Sequence, residues 1–171
     1  MEIKQDINFL DKPMWFLTET ELKQGMVWTD VDGYEYRAGY KLPDKVDILF
    51  LFYMLFKSQK LAYEAKMSFS RYEIIKGCNV SMDNKSYERL EESLKRWTNV
   101  TVGFKGTFYD GKEYISMAFH IIDSYEIRKD NGKLEVHFNP KWLLKIKESK
   151  FCKYINFDYY KALKRPVSRR L

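Results

Sequence analysis

The residue types that carry enzymatic chemistry are sparse in this chain. His120 and His137 are its only histidines, 17 positions apart on expected strands, and no His-hydrophobe-His triplet occurs. Tyrosine-dependent DNA nicking needs such a metal-binding triplet, so the 13 tyrosines read as core and platform residues rather than nucleophiles. GxxxxGK[ST], GxSxG, HExxH and a calcium-loop pattern are all missing. Asp30, Asp32 and Gly33 lack the spacing and final Glu of an EF-hand, and a tight turn accounts for them. Cys78 and Cys152 stand 74 positions apart without Cys or His neighbours, which argues against both a disulfide framework and structural zinc. The expectation is a non-enzyme without metal or cofactor.

What remains is cationic. In the segment 85–97, Tyr87, Leu90, Leu94 and Trp97 recur at the spacing of a buried helical stripe. At about 100° per residue the opposite stripe is Lys85, Arg89, Glu92 and Arg96. A helix of this kind fits a DNA major groove, where outward cations meet phosphates or base edges. Ser86, near its start, is placed to donate to a phosphate. Glu88, Glu91 and Glu92 dilute the charge, and the competing reading is a solvated amphipathic face. On this reading Arg89→Ala and Arg96→Ala weaken DNA binding without lowering stability, whereas Trp97→Ala removes core.

The elements around this helix follow from local patterns. Residues 26–29 and 34–38 flank Asp32-Gly33 as an early hairpin. Asp44 caps a helix over 44–58 whose run Ile48–Phe56 is apolar at every position, far short of the about 20 residues of a membrane span. The short stretch 67–69 leads to a helix over 71–76, opened by a Ser70/Glu73 capping box and closed by a left-handed Gly77. Asp83-Asn84 caps the helix 85–97. Strands are expected at 100–108, 113–128 and 133–138, turned at Asp110-Gly111 and Asn131-Gly132. Lys105 and Lys112 flank the first of these turns and are the expected wing contacts. A helix over 140–147, a strand near 151–156, a helix near 157–163 and another from Pro166 complete the chain.

The order helix, short strand, helix, turn, helix, hairpin defines the expected fold class: α+β, a winged helix-turn-helix with an N-terminal β-hairpin and a β-wing. The expected division is 1–43 for the hairpin segment, 44–150 for the winged helix, and 151–171 for a connector and the start of a second winged helix. Length and composition agree with one ordinary domain: 171 residues, 45% hydrophobic, 17% aromatic, 8 Gly and 4 Pro. The start has no basic region followed by an apolar one, so a cytoplasmic location is expected. Charge is uneven within the net +6. From Lys141 to Leu171, ten basic residues face Glu148 and Asp158, leaving that segment at +8 and the preceding 140 residues at −2. A basic end on a near-neutral body suits a polyanion.

Four stretches in order resemble the replication initiator protein A family. Lys12-Pro13-Met14-Trp15-Phe16-Leu17 is similar to its HP(L/M)FxL entry, with Lys12 where the family often has His. Asp44-Lys45-Val46-Asp47-Ile48-Leu49 resembles its DKDILIY helix. Ser86-Tyr87-Glu88-Arg89-Leu90 with Leu94-Lys95-Arg96-Trp97 resembles its YxRLxxxLxRL helix, and 161–171 its LxxPxxRRLYEL segment. The resemblance implies a non-catalytic initiator that binds double-stranded origin DNA and recruits host replication proteins. The implied first winged helix shares DNA contact with homodimerisation. The expected DNA contacts are Lys85, Ser86, Arg89, Arg96, Lys105, Lys112, Lys164, Arg165, Arg169 and Arg170. Two other readings use the same scaffold: a protein-interaction or dimerisation module, and a transcriptional regulator.

Overall fold

The computed structural model describes residues 1–12, 14, 27–29 and 32–163. At its centre lies α2 (Lys45–Lys60), preceded by β1 (Glu2–Asp6), the short α1 (Ile7–Leu10), β2 (Val27–Thr29) and β3 (Tyr34–Ala38). Every residue from Asp47 to Phe56 is buried, so this helix is covered all round. Asp44 caps it by accepting from Val46 and Asp47, and Asp47 returns a bond to the Asp44 amide, closing a capping box.

β4 (Lys66–Ser70), α3 (Arg71–Gly77) and α4 (Asn84–Thr98) follow. Ser70 accepts from the Glu73 amide at 3.0 Å, as its spacing predicts. Gly77 does not end α3 in the left-handed conformation; Asn79, two residues on, takes it with φ 56°. Gly77 is instead required for space, since a Cβ there would lie 2.1 Å from the Tyr53 ring of α2. Its carbonyl accepts from Lys161 Nζ at 3.1 Å.

The remaining elements are β5 (Val100–Tyr109), β6 (Tyr114–His120), β7 (Ile122–Ile127), β8 (Lys133–Phe138), α5 (Pro140–Glu148), β9 (Cys152–Asn156) and α6 (Phe157–Ala162). The strands form three antiparallel sheets, ordered β1-β9, β2-β3-β5-β6 and β4-β8-β7. The expected strand 113–128 is thus two strands in different sheets. They part at the buried Ile121, whose carbonyl accepts from the Asn139 amide at 3.1 Å.

The sheet β4-β8-β7 with α2, α3 and α4 is the winged helix. Its wing is the β7–β8 hairpin, which turns at Asn131-Gly132, and β7 packs along α4. The β5–β6 hairpin, where the wing was expected, joins the early hairpin in a separate sheet. That sheet turns Tyr34, Tyr36, Val102, Phe104, Phe108 and Phe119 into the core. β9 pairs with β1, and Phe157 and Tyr160 of α6 pack on Tyr53 and Phe52 of α2.

Candidate nucleic-acid interface

α4 is a well-specified helix. Asp83 caps it through the Ser86 amide at 2.8 Å, and Leu90, Leu94 and Trp97 are fully buried. The Trp97 indole donates to the Asp47 carbonyl at 3.0 Å.

The opposite stripe is not what helical periodicity predicts. Arg89 grips the buried Asp47 with two bonds, 2.6 and 2.9 Å, and reaches Asp44 at 2.8 Å. Arg96 donates to Asp47 at 3.1 Å and to the Leu42 carbonyl at 3.0 Å. Their side chains are 24% and 14% exposed. Both cations are therefore turned onto the first turn of α2, and the expected phosphate contacts from Arg89 and Arg96 give way to an internal ion-pair cluster. The physical reason is Asp47: a carboxylate with no exposure must be paired and hydrogen-bonded. The signal was present in the sequence, as an acid directly before a nine-residue apolar run. Burial opposes the charge on Asp44, but Arg89, the Val46 and Asp47 amides and Arg96 together hold its carboxyl below the usual range.

Ser86 is buried, so its expected hydroxyl contact with a phosphate is not available. Lys85 is exposed on the first turn of α4, beside exposed Asn84 and Glu88. Lys105 and Lys112 are exposed as expected, but on the β5–β6 hairpin of the other sheet. Lys164, Arg165, Arg169 and Arg170, with the helix expected from Pro166, lie outside the described residues.

Sequence reading passed over the cations that the fold gathers beside α4. Arg128, Lys129 and Lys133 are exposed at the wing tip. Arg71, the first residue of α3, reaches Glu91 of α4 at 2.7 Å and lies over the Tyr87 ring at 5.4 Å. Its guanidinium also stands 3.1 Å from where a Gly132 Cβ would be, so one side chain joins α3, α4 and the wing turn. Between α3 and α4 a groove of about 350 Å³ is lined by Arg71, Asn84, Tyr87, Glu88 and Glu91. The face is mixed, since Arg71 shares the groove with Glu88 and Glu91.

The histidines take ordinary partners: His120 with Thr101 at 3.0 Å and His137 with Glu135 at 2.8 Å. Among the described residues, no cluster of three His, Cys, Asp or Glu is arranged to hold a metal. Nor is any described helix long and apolar enough to cross a membrane.

A three-helix body, a helix-turn-helix and a β-wing define a winged-helix protein carrying two additional β-sheets. The particular family follows from the sequence match: residues 45–171 fit the model described as "Replication initiator protein A", and the chain belongs to that family. Its fold is similar to two crystal structures of domains 2 and 3 of RctB. One is 9% identical, with a TM-score of 0.50, covering 88% of this chain and 63% of that one. The other is 10% identical, with a TM-score of 0.50, covering 91% and 62%. This chain therefore spans less than two thirds of either, and at such identities the likeness concerns the fold alone. A further similar structure is the WH1 domain of MSBI1.176, described as a replication protein isolated from a multiple sclerosis patient. It is 14% identical over 60% of this chain and 81% of that one, at a TM-score of 0.42. No curated protein matches the sequence.

Proposed function

We propose that this protein is a non-catalytic replication initiator that binds double-stranded origin DNA through the N-terminal turn of α4 and the β7–β8 wing. The observation that carries the reading is the junction at Arg71, which sets the wing tip against the helix-turn-helix. Lys85 is exposed on the first turn of α4, and Arg128, Lys129 and Lys133 are exposed at the wing tip that Arg71 ties to that helix. In such an arrangement the helix enters the groove and the wing meets the backbone, so phosphate contacts position the domain and α4 reads the bases. Recruitment of host replication proteins, homodimerisation and a cytoplasmic location belong to this reading as its finer parts.

A second reading is favoured by one observation. Arg89 and Arg96 are held by Asp44 and Asp47, and Glu88 and Glu91 line the groove beside α4. A mixed face of that kind suits a protein partner. Anisotropy of a labelled random duplex at low and moderate salt separates the two. Binding that weakens steeply with salt, and an Arg128→Ala/Lys129→Ala variant whose log–log slope is shallower by about 2, supports DNA binding. No duplex binding at low salt, or an unchanged slope, supports the docking module.

A further inference from the structure

A second surface, sharing no residue with the α4–wing face, has its own chemistry. The β5–β6 hairpin closes on a cross-strand pair, Tyr109 and Tyr114, with ring centroids 5.1 Å apart. On its other side Tyr109 meets Phe151 at 5.2 Å. The outer two rings are open to solvent, Tyr114 at 68% and Phe151 at 45% exposure. Gly111 makes the approach close, as a Cβ there would already touch the Phe151 ring at 3.5 Å. Beside the rings lies a cleft of about 130 Å³ whose charged lining is Lys145 and Lys150 with Asp6, Asp110 and Glu148.

We infer that this ring cluster and the lysines beside it bind single-stranded nucleic acid. Unpaired bases stack on exposed aromatic rings whatever their sequence, and cations alongside track the phosphates. The charge of the segment that carries Phe151 suits that occupant: residues 141–153 hold Lys141, Lys145, Lys147, Lys150 and Lys153 against Glu148 alone, and Lys145 and Lys150 of these line the cleft. Lys112 adds an exposed cation at the hairpin turn, where Asp110 is engaged by the Lys112 and Glu113 amides. A second copy of this chain fits less well, because a two-fold interface sets a patch against itself and would bring lysines against lysines. The central ring gives the outer two a fixed support, since the Tyr109 hydroxyl donates to the Gly111 carbonyl at 3.2 Å.

The test is anisotropy of a labelled oligothymidylate titrated with the full chain and with Tyr114→Ala/Phe151→Ala. Both side chains are solvent-exposed, so the double variant should fold, which circular dichroism checks. The expected result is at least about tenfold weaker binding in the double variant, with near-native binding in Tyr114→Phe, which keeps the ring. The wing variant Arg128→Ala/Lys129→Ala should bind the oligothymidylate normally, so failure of the duplex reading and failure of this one show separately. Equal affinity of wild type and double variant overturns the inference, as does absence of binding by the wild type. A dimer in sedimentation that Tyr114→Ala/Phe151→Ala dissociates also overturns it, assigning the rings to self-association.

Discussion

Asp47 ties the first turn of α2 to α4 through both its carboxylate and its carbonyl. It has no solvent exposure, yet its carboxylate meets Arg89, Arg96 and the Asp44 amide, and its carbonyl takes the Trp97 indole. Removing one member of a buried charge cluster leaves the others desolvated and unpaired. Asp47→Ala should therefore lose about 3–5 kcal/mol in urea melts. Arg89→Ala should also destabilise, contrary to the expectation that treats Arg89 as a solvent-facing phosphate contact. Asp44 contributes in a pH-dependent way. Its carboxyl is held low in the folded state, so its stabilisation is complete above its unfolded value of about 4 and disappears as pH falls through the folded one. Asp44→Asn keeps a capping side chain and removes only the charge. It should thus be less stable than wild type at neutral pH, with the gap closing in acid; a gap of constant size would exclude the ion pairs as its source.

Within elements, close approach rather than propensity decides some positions. Gly77 ends α3 against the Tyr53 ring of α2, and any Cβ there would overlap it at 2.1 Å. Helix propensity alone predicts that Gly77→Ala stabilises by up to about 1 kcal/mol. The overlap predicts the opposite sign, a loss of about 1–3 kcal/mol or more from overpacking. A Tyr53→Leu partner should recover part of that loss, a coupling that a double-mutant cycle measures. Such contacts explain what was legible beforehand. Caps and turns announce themselves locally: Asp44, Ser70, Asp83, Asn131-Gly132 and Pro140 all sit where their chemistry requires, and every helix from 44 to 163 was readable within a few residues. The division at Ile121 was not, because no turn residue marks it and both flanks have strand composition. For the same reason the sequence points to the first Gly-marked hairpin after α4 as the wing. Which of two hairpins completes the β4 sheet is a matter of long-range pairing, and no local signal carries it. The inward turn of Arg89 and Arg96 was hidden because helical periodicity places side chains around one axis and is blind to a neighbouring helix end.

Across the whole molecule, the two ends of the described chain are joined. β1 pairs with β9 over five residue pairs from Glu2↔Asn156 to Asp6↔Cys152, and the Phe157 amide donates to the Met1 carbonyl at 2.8 Å. Phe157 itself is fully buried, with its ring 6.4 Å from that of Tyr53 and Lys161 Nζ 5.1 Å from its centroid. The segment from 151 thus rests on the same central helix as the winged helix, and α2 touches α3, α4, α6 and β1 together. If these contacts make one cooperative unit, a defect at the far end must lower the stability of the helix-turn-helix as well. Phe157→Ala should then cost about 3–5 kcal/mol, the range for a large core aromatic. Tryptophan fluorescence and far-ultraviolet circular dichroism should still report one coincident transition. Were β9 and α6 to form a separately folding connector, the variant would instead show an early, small transition in circular dichroism. The fluorescence midpoint, to which the buried Trp97 and Trp142 contribute, would stay at the wild-type value. The position of Phe157 between β1 and α2 argues for the first outcome, with the winged-helix body and the chain that leaves it sharing one core.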